Sequence, residues 1–282
     1  MAELTRQENR TRIIEKITAS KKYRGLYYKT VQRIVSDCLK KYPPKSAEKQ
    51  AKNLLHQIWG AYLSTIPDFK KLEQSFEHDF KNGKDIKQIV LPFLKLQSSL
   101  RERVPILNDF YQKIFSATGK PSTIVDWACG LNPLSWPWMP RMNPLGNFQY
   151  LGLDIDKQEI DFLNNIFRIA DLNNFKVRLG DILTDASPQA DVVFLLKTLP
   201  LLEHQKKGVS LEILKKMPAK FLVVSFPTRT IRGKNKNMID FYQKWFHDLI
   251  GDQQWKTIKI LFPTELVFII NKTGGDRVSA EN

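Results

Sequence analysis

Carboxylates and small residues stand where short apolar runs end in the second part of this chain, and their order suggests a ligand. The run at 122–128 leads through Asp126-Trp127-Ala128-Cys129-Gly130-Leu131-Asn132-Pro133. Gly130 allows the backbone to approach a bound molecule closely. The run at 150–154 ends in Asp154, 24 residues past Gly130. At that spacing a carboxylate accepts both hydroxyls of a nucleoside ribose. The run at 175–179 is followed by Gly180-Asp181-Ile182, where Asp181 can receive an exocyclic amino group and Ile182 can cover a purine ring. The run at 191–196 leads into Leu196-Lys197-Thr198-Leu199-Pro200, which would border the reacting group. A single carboxylate at a strand end is more often a helix cap, but four strand ends in this order are harder to explain that way. No Gly-x-Gly-x-x-Gly turn is present to seat a pyrophosphate, which disfavours a dinucleotide. A sulfonium cofactor carries no phosphate and needs no such turn.

Those strand ends require a parallel sheet. Runs at 122–128, 150–154, 175–179, 191–196 and 220–226 alternate with stretches long enough for helices, notably 157–170 and 200–217. Strand alternating with helix predicts an α/β sheet covered on both faces. Residues 257–262 and 265–271, split by Pro263-Thr264, predict a terminal antiparallel hairpin. Five alternating strands and then a hairpin is the chain order of class I methyltransferases. The first 117 residues read differently. Val31, Ile34, Val35, Cys38 and Leu39, and then Ala51, Leu54, Leu55, Ile58, Trp59 and Tyr62, recur at helical spacing. Pro43-Pro44 should end the first of these helices and Ser46 cap the second. Ser99-x-x-Glu102 resembles a capping box, and Pro105 marks either a kink or a helix start.

Charge divides the chain the same way. The 44 Lys plus Arg exceed 29 Asp plus Glu, a net +15. Residues 1–119 hold 23 basic and 12 acidic side chains; the remainder holds 21 and 17. Most of the positive field therefore belongs to the helical part, as expected of a polyanion-binding module. Cys38 and Cys129 imply neither a disulfide framework nor a zinc site, and the four histidines lack metal-ligand spacing. The segment from Met1 to Lys22 is too charged for a signal peptide, and no apolar run approaches the roughly 20 residues that span a bilayer. A cytoplasmic chain without membrane contact and without a metal is expected.

Several segments together closely resemble the aminoglycoside-resistance 16S rRNA methyltransferases that modify N7 of guanine 1405. They include Ser20-Lys21-Lys22-Tyr23-Arg24, the stretch from Leu54 to Leu63, and Arg101-Glu102-Arg103-Val104-Pro105. Ala128-Cys129-Gly130-Leu131-Asn132-Pro133-Leu134, the stretch from Leu195 to Glu203, and Val224-Ser225-Phe226-Pro227-Thr228-Arg229 continue the match. The resemblance implies a class I (Rossmann-like) α/β fold with S-adenosylmethionine as cofactor, preceded by an all-helical domain. The expected division is residues 1–117 for rRNA binding and 118–282 for methyl transfer. By the same resemblance, Tyr62, Arg103, Ala128, Asp154, Asp181, Ile182, Leu196 and Gln205 contact the cofactor, with Gln97, Ser98, Ser99 and Gly130 beside them. Arg103 would pair with the methionine carboxylate. The chain departs from the family at Gln97, where a histidine is common, and at Lys236-Asn237-Met238, where Lys-Gly-Met is usual.

Guanine N7 offers an in-plane lone pair and no proton, so alignment and desolvation can suffice without a general base. Leu196 to Pro200 is the expected bed for the target base. Two basic runs are expected to meet RNA: Lys21, Lys22 and Arg24 with their N-terminal neighbours, and Arg229, Arg232, Lys234 and Lys236. The partner implied is 16S rRNA within the 30S subunit, approached by a monomer, and the outcome is resistance to gentamicin- and kanamycin-type drugs. Trp127, Trp136 and Trp138 read as core packing or as a surface for a flipped base. Two alternatives remain at this level: methylation of another rRNA position such as an adenine N1, and a non-catalytic rRNA-binding assembly factor.

Overall fold

The computed structural model describes residues 2–60, 67–139, 148–229 and 237–273. Among these the helices are α1 (Ala2–Thr18), α2 (Tyr28–Lys41), α3 (Pro44–Leu55), α4 (Phe69–Lys81), α5 (Ile86–Leu94), α6 (Ser98–Arg103), α7 (Leu107–Thr118), α8 (Lys157–Ile169), α9 (Leu199–Gln205), α10 (Val209–Lys216) and α11 (Met238–Ile250). The strands are β1 (Thr123–Trp127), β2 (Gln149–Asp154), β3 (Phe175–Leu179), β4 (Ala190–Leu196), β5 (Ala219–Pro227), β6 (Lys256–Leu261) and β7 (Glu265–Asn271). All seven runs expected to be strands are strands, in one sheet of order β3-β2-β1-β4-β5-β7-β6. β1, β4 and β5 are parallel, and β7 runs antiparallel to both β5 and β6. The α/β fold with a terminal hairpin is therefore as the sequence implies.

Local chemistry sets several boundaries otherwise than the sequence suggests. α3 begins at Pro44 with Pro43 as its cap, so Ser46 lies inside the first turn. Proline is at home there because a first-turn N–H has no intrahelical partner anyway. Ser99 is not the cap of α6: the helix starts at Ser98, and the capping position is Gln97, whose side chain makes no cap hydrogen bond. Pro105 sits in a 3-10 turn, Val104–Ile106, before α7 starts. The helix expected over 200–217 is two helices, parted where Gly208 takes a φ of 76°.

The chain packs as two compact units that interleave along the sequence. One comprises residues 1–105, 128–138 and 151–186; the other comprises 106–127, 139–150 and 187–282. Packing thus groups the residues otherwise than a cut after residue 117 would. α7 belongs to the second unit, whereas α8 and β3 belong with the N-terminal helices. The first unit has its own core, in which Ile13, Ile17, Val31, Ile34, Val35, Ala47, Ala51 and Leu55 are almost wholly buried. Each large aliphatic side chain removed from water there contributes about 1.5–3 kcal/mol. In the second unit, the interior of β4, β5 and β7 is nearly continuous aliphatic and aromatic surface, with Phe226 against Tyr242, Phe246 and Phe268.

Candidate active site

In the first unit, the turn after β1 closes on the end of β2. Ala128 is exposed and left-handed at φ 54°, and Gly130 follows at φ 47°. A β-carbon on Gly130 would displace the Gln97 side-chain amide, which is held by two hydrogen bonds, so glycine suits the turn sterically as well as conformationally. The Gly130 N–H donates to Asp154 Oδ2 at 2.8 Å, and the Ile155 N–H to Oδ1 at 2.6 Å. Both bonds pin the carboxylate at the strand end and leave each oxygen further acceptor capacity. Burial nevertheless pushes the Asp154 carboxyl upward against those two amides, and the nearby Asp156 adds to the shift.

Gln97 is not turned outward. Its Oε1 accepts from the Leu131 N–H at 3.0 Å, and its Nε2 donates to Glu159 Oε1 at 3.0 Å. The residue is 8% exposed and ties the Gly130 turn to α8. Glu159, missed by sequence reasoning, is 2% exposed, and burial together with Asp154 and Asp156 holds its carboxyl well above the usual carboxylate range. The sequence did carry a signal: Glu159 shares the apolar stripe of Phe162, Leu163 and Ile166, where a carboxyl is out of place.

Arg103 is buried to 2% exposure and donates from Nη1 to Asn132 Oδ1 at 2.9 Å. It thus lies beside the Gly130 turn. Ser98 and Ser99, half-buried, open α6 next to Gln97. Ile182 is half-buried after β3. Asp181 departs from expectation. Its Oδ2 accepts from Thr30 Oγ1 at 2.8 Å and from Arg33 Nε and Nη2 at 3.0 and 2.8 Å, while Oδ1 accepts from the Leu183 N–H at 2.9 Å. The carboxylate read as an amino-group acceptor is held to α2 by a half-buried guanidinium and a buried hydroxyl. The N-terminal segment docks further through the Tyr27 N–H to Ile155 O at 2.7 Å and Trp59 Nε1 to Asp156 Oδ2 at 2.7 Å.

In the second unit, β4 ends in half-buried Leu196 and then Lys197, Thr198 and Leu199, all buried. Thr198 Oγ1 lies 3.2 Å from Leu196 O, and Pro200 stands in the first turn of α9. Gln205, at the end of α9, donates to Leu201 O at 3.3 Å. Trp127 is core: 1% exposed, with Nε1 donating to Ser187 Oγ at 3.0 Å. In the first unit Trp136 meets the edge of Phe167, and Lys87 lies over Trp138, so the three tryptophans do not share one surface role. Lys21, Lys22, Arg24 and Arg229 are exposed. Tyr62, Arg232, Lys234 and Lys236 lie outside the described residues. Among the described residues, no helix is long and apolar enough to cross a membrane.

Comparison with known proteins gives a consistent picture. A family model described as ribosomal RNA methyltransferase (FmrO) matches residues 19–269. The chain is 35% identical over 273 residues to a 16S rRNA (guanine(1405)-N(7))-methyltransferase of Proteus mirabilis, covering 92% of this chain and 96% of that one. It is 31% identical over 268 residues to the protein of the same name from Frankia casuarinae, covering 93% of each. Among solved structures it resembles the 16S rRNA methyltransferase RmtF in complex with S-adenosyl-L-homocysteine, with a TM-score of 0.80 and 29% identity over 94% of this chain and 99% of that one. It also resembles an rRNA methylase from Escherichia coli, with a TM-score of 0.74 and 29% identity over 94% of this chain and all of that one.

Proposed function

The chain belongs to the ribosomal RNA methyltransferase (FmrO) family, and from that premise we propose that it methylates N7 of guanine 1405 in 16S rRNA, using S-adenosylmethionine. The names of its relatives and the product bound to RmtF support both substrates. One observation of the chain itself carries the reading: Asp154 is fixed at the end of β2 by the Gly130 and Ile155 amides, with acceptor capacity left for a ribose diol. The donor set fits the rest of the molecule, since the Arg103 guanidinium suits an α-carboxylate and no phosphate-binding turn is needed. S-adenosylmethionine supplies a methyl group on positively charged sulfur. Ala128, Gly130, Ile182, Leu196, Gln205 and Tyr62 would line it with Gln97, Ser98 and Ser99 beside them, and Gln97 also braces the Gly130 turn through Leu131 and Glu159.

Leu196 to Pro200 serves in this reading as the bed for the target base, which gives up no proton and so needs no base to remove one. Residues 1–117 would act on rRNA and 118–282 on the methyl group, a functional division along the chain rather than a packing one. Lys21, Lys22, Arg24 and Arg229, with Arg232, Lys234 and Lys236, would meet phosphates of the 30S subunit. The chain would work as a monomer in the cytoplasm, and its product would confer resistance to gentamicin- and kanamycin-type drugs.

The pocket is tested by calorimetry with S-adenosylhomocysteine. Asp154→Ala should weaken binding by about 2 kcal/mol, because hydrogen bonds to a charged acceptor are lost. Unchanged affinity would overturn the assignment of the pocket.

A further inference from the structure

Three polar side chains are buried where β4, β5 and β7 meet at the Leu196–Pro200 segment, to which Lys197 itself belongs. Lys197 is 8% exposed, and Ser225 and Glu265 are each 0% exposed. Lys197 has a φ of 57°, a left-handed conformation that a residue with a β-carbon adopts only when its surroundings hold it there. One residue supplies both acceptors for its N–H: Ser225 O at 3.1 Å and Ser225 Oγ at 3.0 Å. The Ser225 hydroxyl in turn donates to Glu265 Oε1 at 2.5 Å. The other carboxylate oxygen, Oε2, lies 3.9 Å from Lys197 Nζ. A plain connection from strand to helix needs neither a strained lysine nor a buried pair of opposite charges.

We propose that Ser225 and Glu265 are positioning residues for methyl transfer, acting through Lys197. Ser225 fixes the backbone of the target-base bed, and Glu265 sets a carboxylate near the ammonium that Lys197 brings to it. The inference rests on reading Leu196 to Pro200 as that bed. When N7 forms its bond to the methyl carbon, the pair of the breaking carbon–sulfur bond stays on sulfur and the positive charge passes to the purine. No proton moves. The positive charge of Lys197, in the same segment as the bed, would oppose that charge in a medium that screens poorly if no carboxylate offset it. Glu265 removes the opposition while leaving Lys197 in place.

The test compares single-turnover methylation of 30S subunits by the full chain and by Glu265→Gln, Ser225→Ala, Lys197→Met and the double variant Lys197→Met/Glu265→Gln. Affinity for S-adenosylhomocysteine and for 30S subunits is measured alongside. Glu265→Gln keeps an acceptor for Ser225 but removes the negative charge beside the lysine, so it should slow the transfer step about tenfold or more with both affinities nearly unchanged. The double variant removes both charges and should be about fivefold or more faster than Glu265→Gln alone, a coupling that independent packing losses do not produce. Ser225→Ala should slow transfer in the same way. Wild-type rates in Glu265→Gln and Ser225→Ala, or a double variant as slow as the product of its single changes, would overturn the proposal and leave the methyltransferase reading standing. If Glu265→Gln fails to fold, the Lys197→Met comparison decides. Removing the lysine alone leaves the negative charge of the carboxylate, which favours the positive charge on the purine, so adding Glu265→Gln must then lower the rate; no fall overturns the proposal. Absence of transfer by the unaltered chain would defeat the bed itself, and the proposal with it.

Discussion

Glu159 shows how one buried acid records the pH at which the site is comfortable. Burial, with Asp154 and Asp156 close by, raises its carboxyl well above the ordinary range, while Gln97 partly opposes the shift. A carboxyl with a raised folded-state pKa binds its proton more tightly folded than unfolded. Its contribution is therefore complete below the unfolded value and is lost as pH rises through the folded one. Glu159→Gln keeps an acceptor for Gln97 and has nothing to ionise. The variant should match the parent at about pH 4 and become progressively more stable than it above about pH 5, where an unfolded Glu is already charged. Thermal melts of both proteins across that range check this, and taking their difference cancels acids with the opposite sense, such as Glu48 and Asp185. Parallel pH profiles would show that Glu159 does not govern the window.

At the scale of elements, α2 is held to the end of β3 by Asp181, which accepts from Arg33 and Thr30. Arg33→Ala leaves a 4% exposed carboxylate with fewer partners. It should cost about 3 kcal/mol, the low end for breaking a buried pair, because the Thr30 hydroxyl and Leu183 amide still serve it. Urea denaturation measures the loss; a change below about 0.5 kcal/mol would mean the pair behaves as a surface contact. This bond also marks what a sequence discloses. Strand positions were readable because apolar runs and their bounding turns are local, and so was the Gly130–Asp154 pairing, which depends only on two neighbouring strand ends. The destination of Asp181 was not readable, since its partners lie 148 and 151 residues away and a carboxylate after a strand looks the same whether a ligand or a helix claims it. Ser99 and Glu102 mislead for a related reason: the spacing fits a cap, but Gln97 already holds the entry to α6 through Leu131 and Glu159. Trp59 and Asp156 were each visible, yet nothing local says that the indole caps a carboxylate 97 residues on.

For the whole molecule, charge is the property most open to reading from the sequence, and it yields a test of its own. Lys21, Lys22 and Arg24 are exposed on one short turn after α1. Replacing all three with alanine should weaken binding to 30S subunits and flatten its dependence on salt by roughly two to three units of log–log slope, since each phosphate contact carries somewhat less than one. Cofactor affinity should be nearly untouched. An unchanged salt slope would reduce this basic turn to a solvated face.

The central claim concerns one atom of one nucleotide. Methylation at guanine N7 fixes a positive charge on the purine, which opens the ring to borohydride and makes the strand cleavable by aniline. The same charge, with the lost N7 acceptor, should repel the cationic rings of gentamicin- and kanamycin-type drugs. The direct measurement is to express the chain in a sensitive bacterium, treat its 16S rRNA with borohydride and aniline, and map the new ends. The account predicts a single new cut at guanine 1405 together with resistance to those drugs. No cut there, with a reverse-transcription stop at a nearby adenine instead, would contradict it and assign the methyl group to an adenine N1.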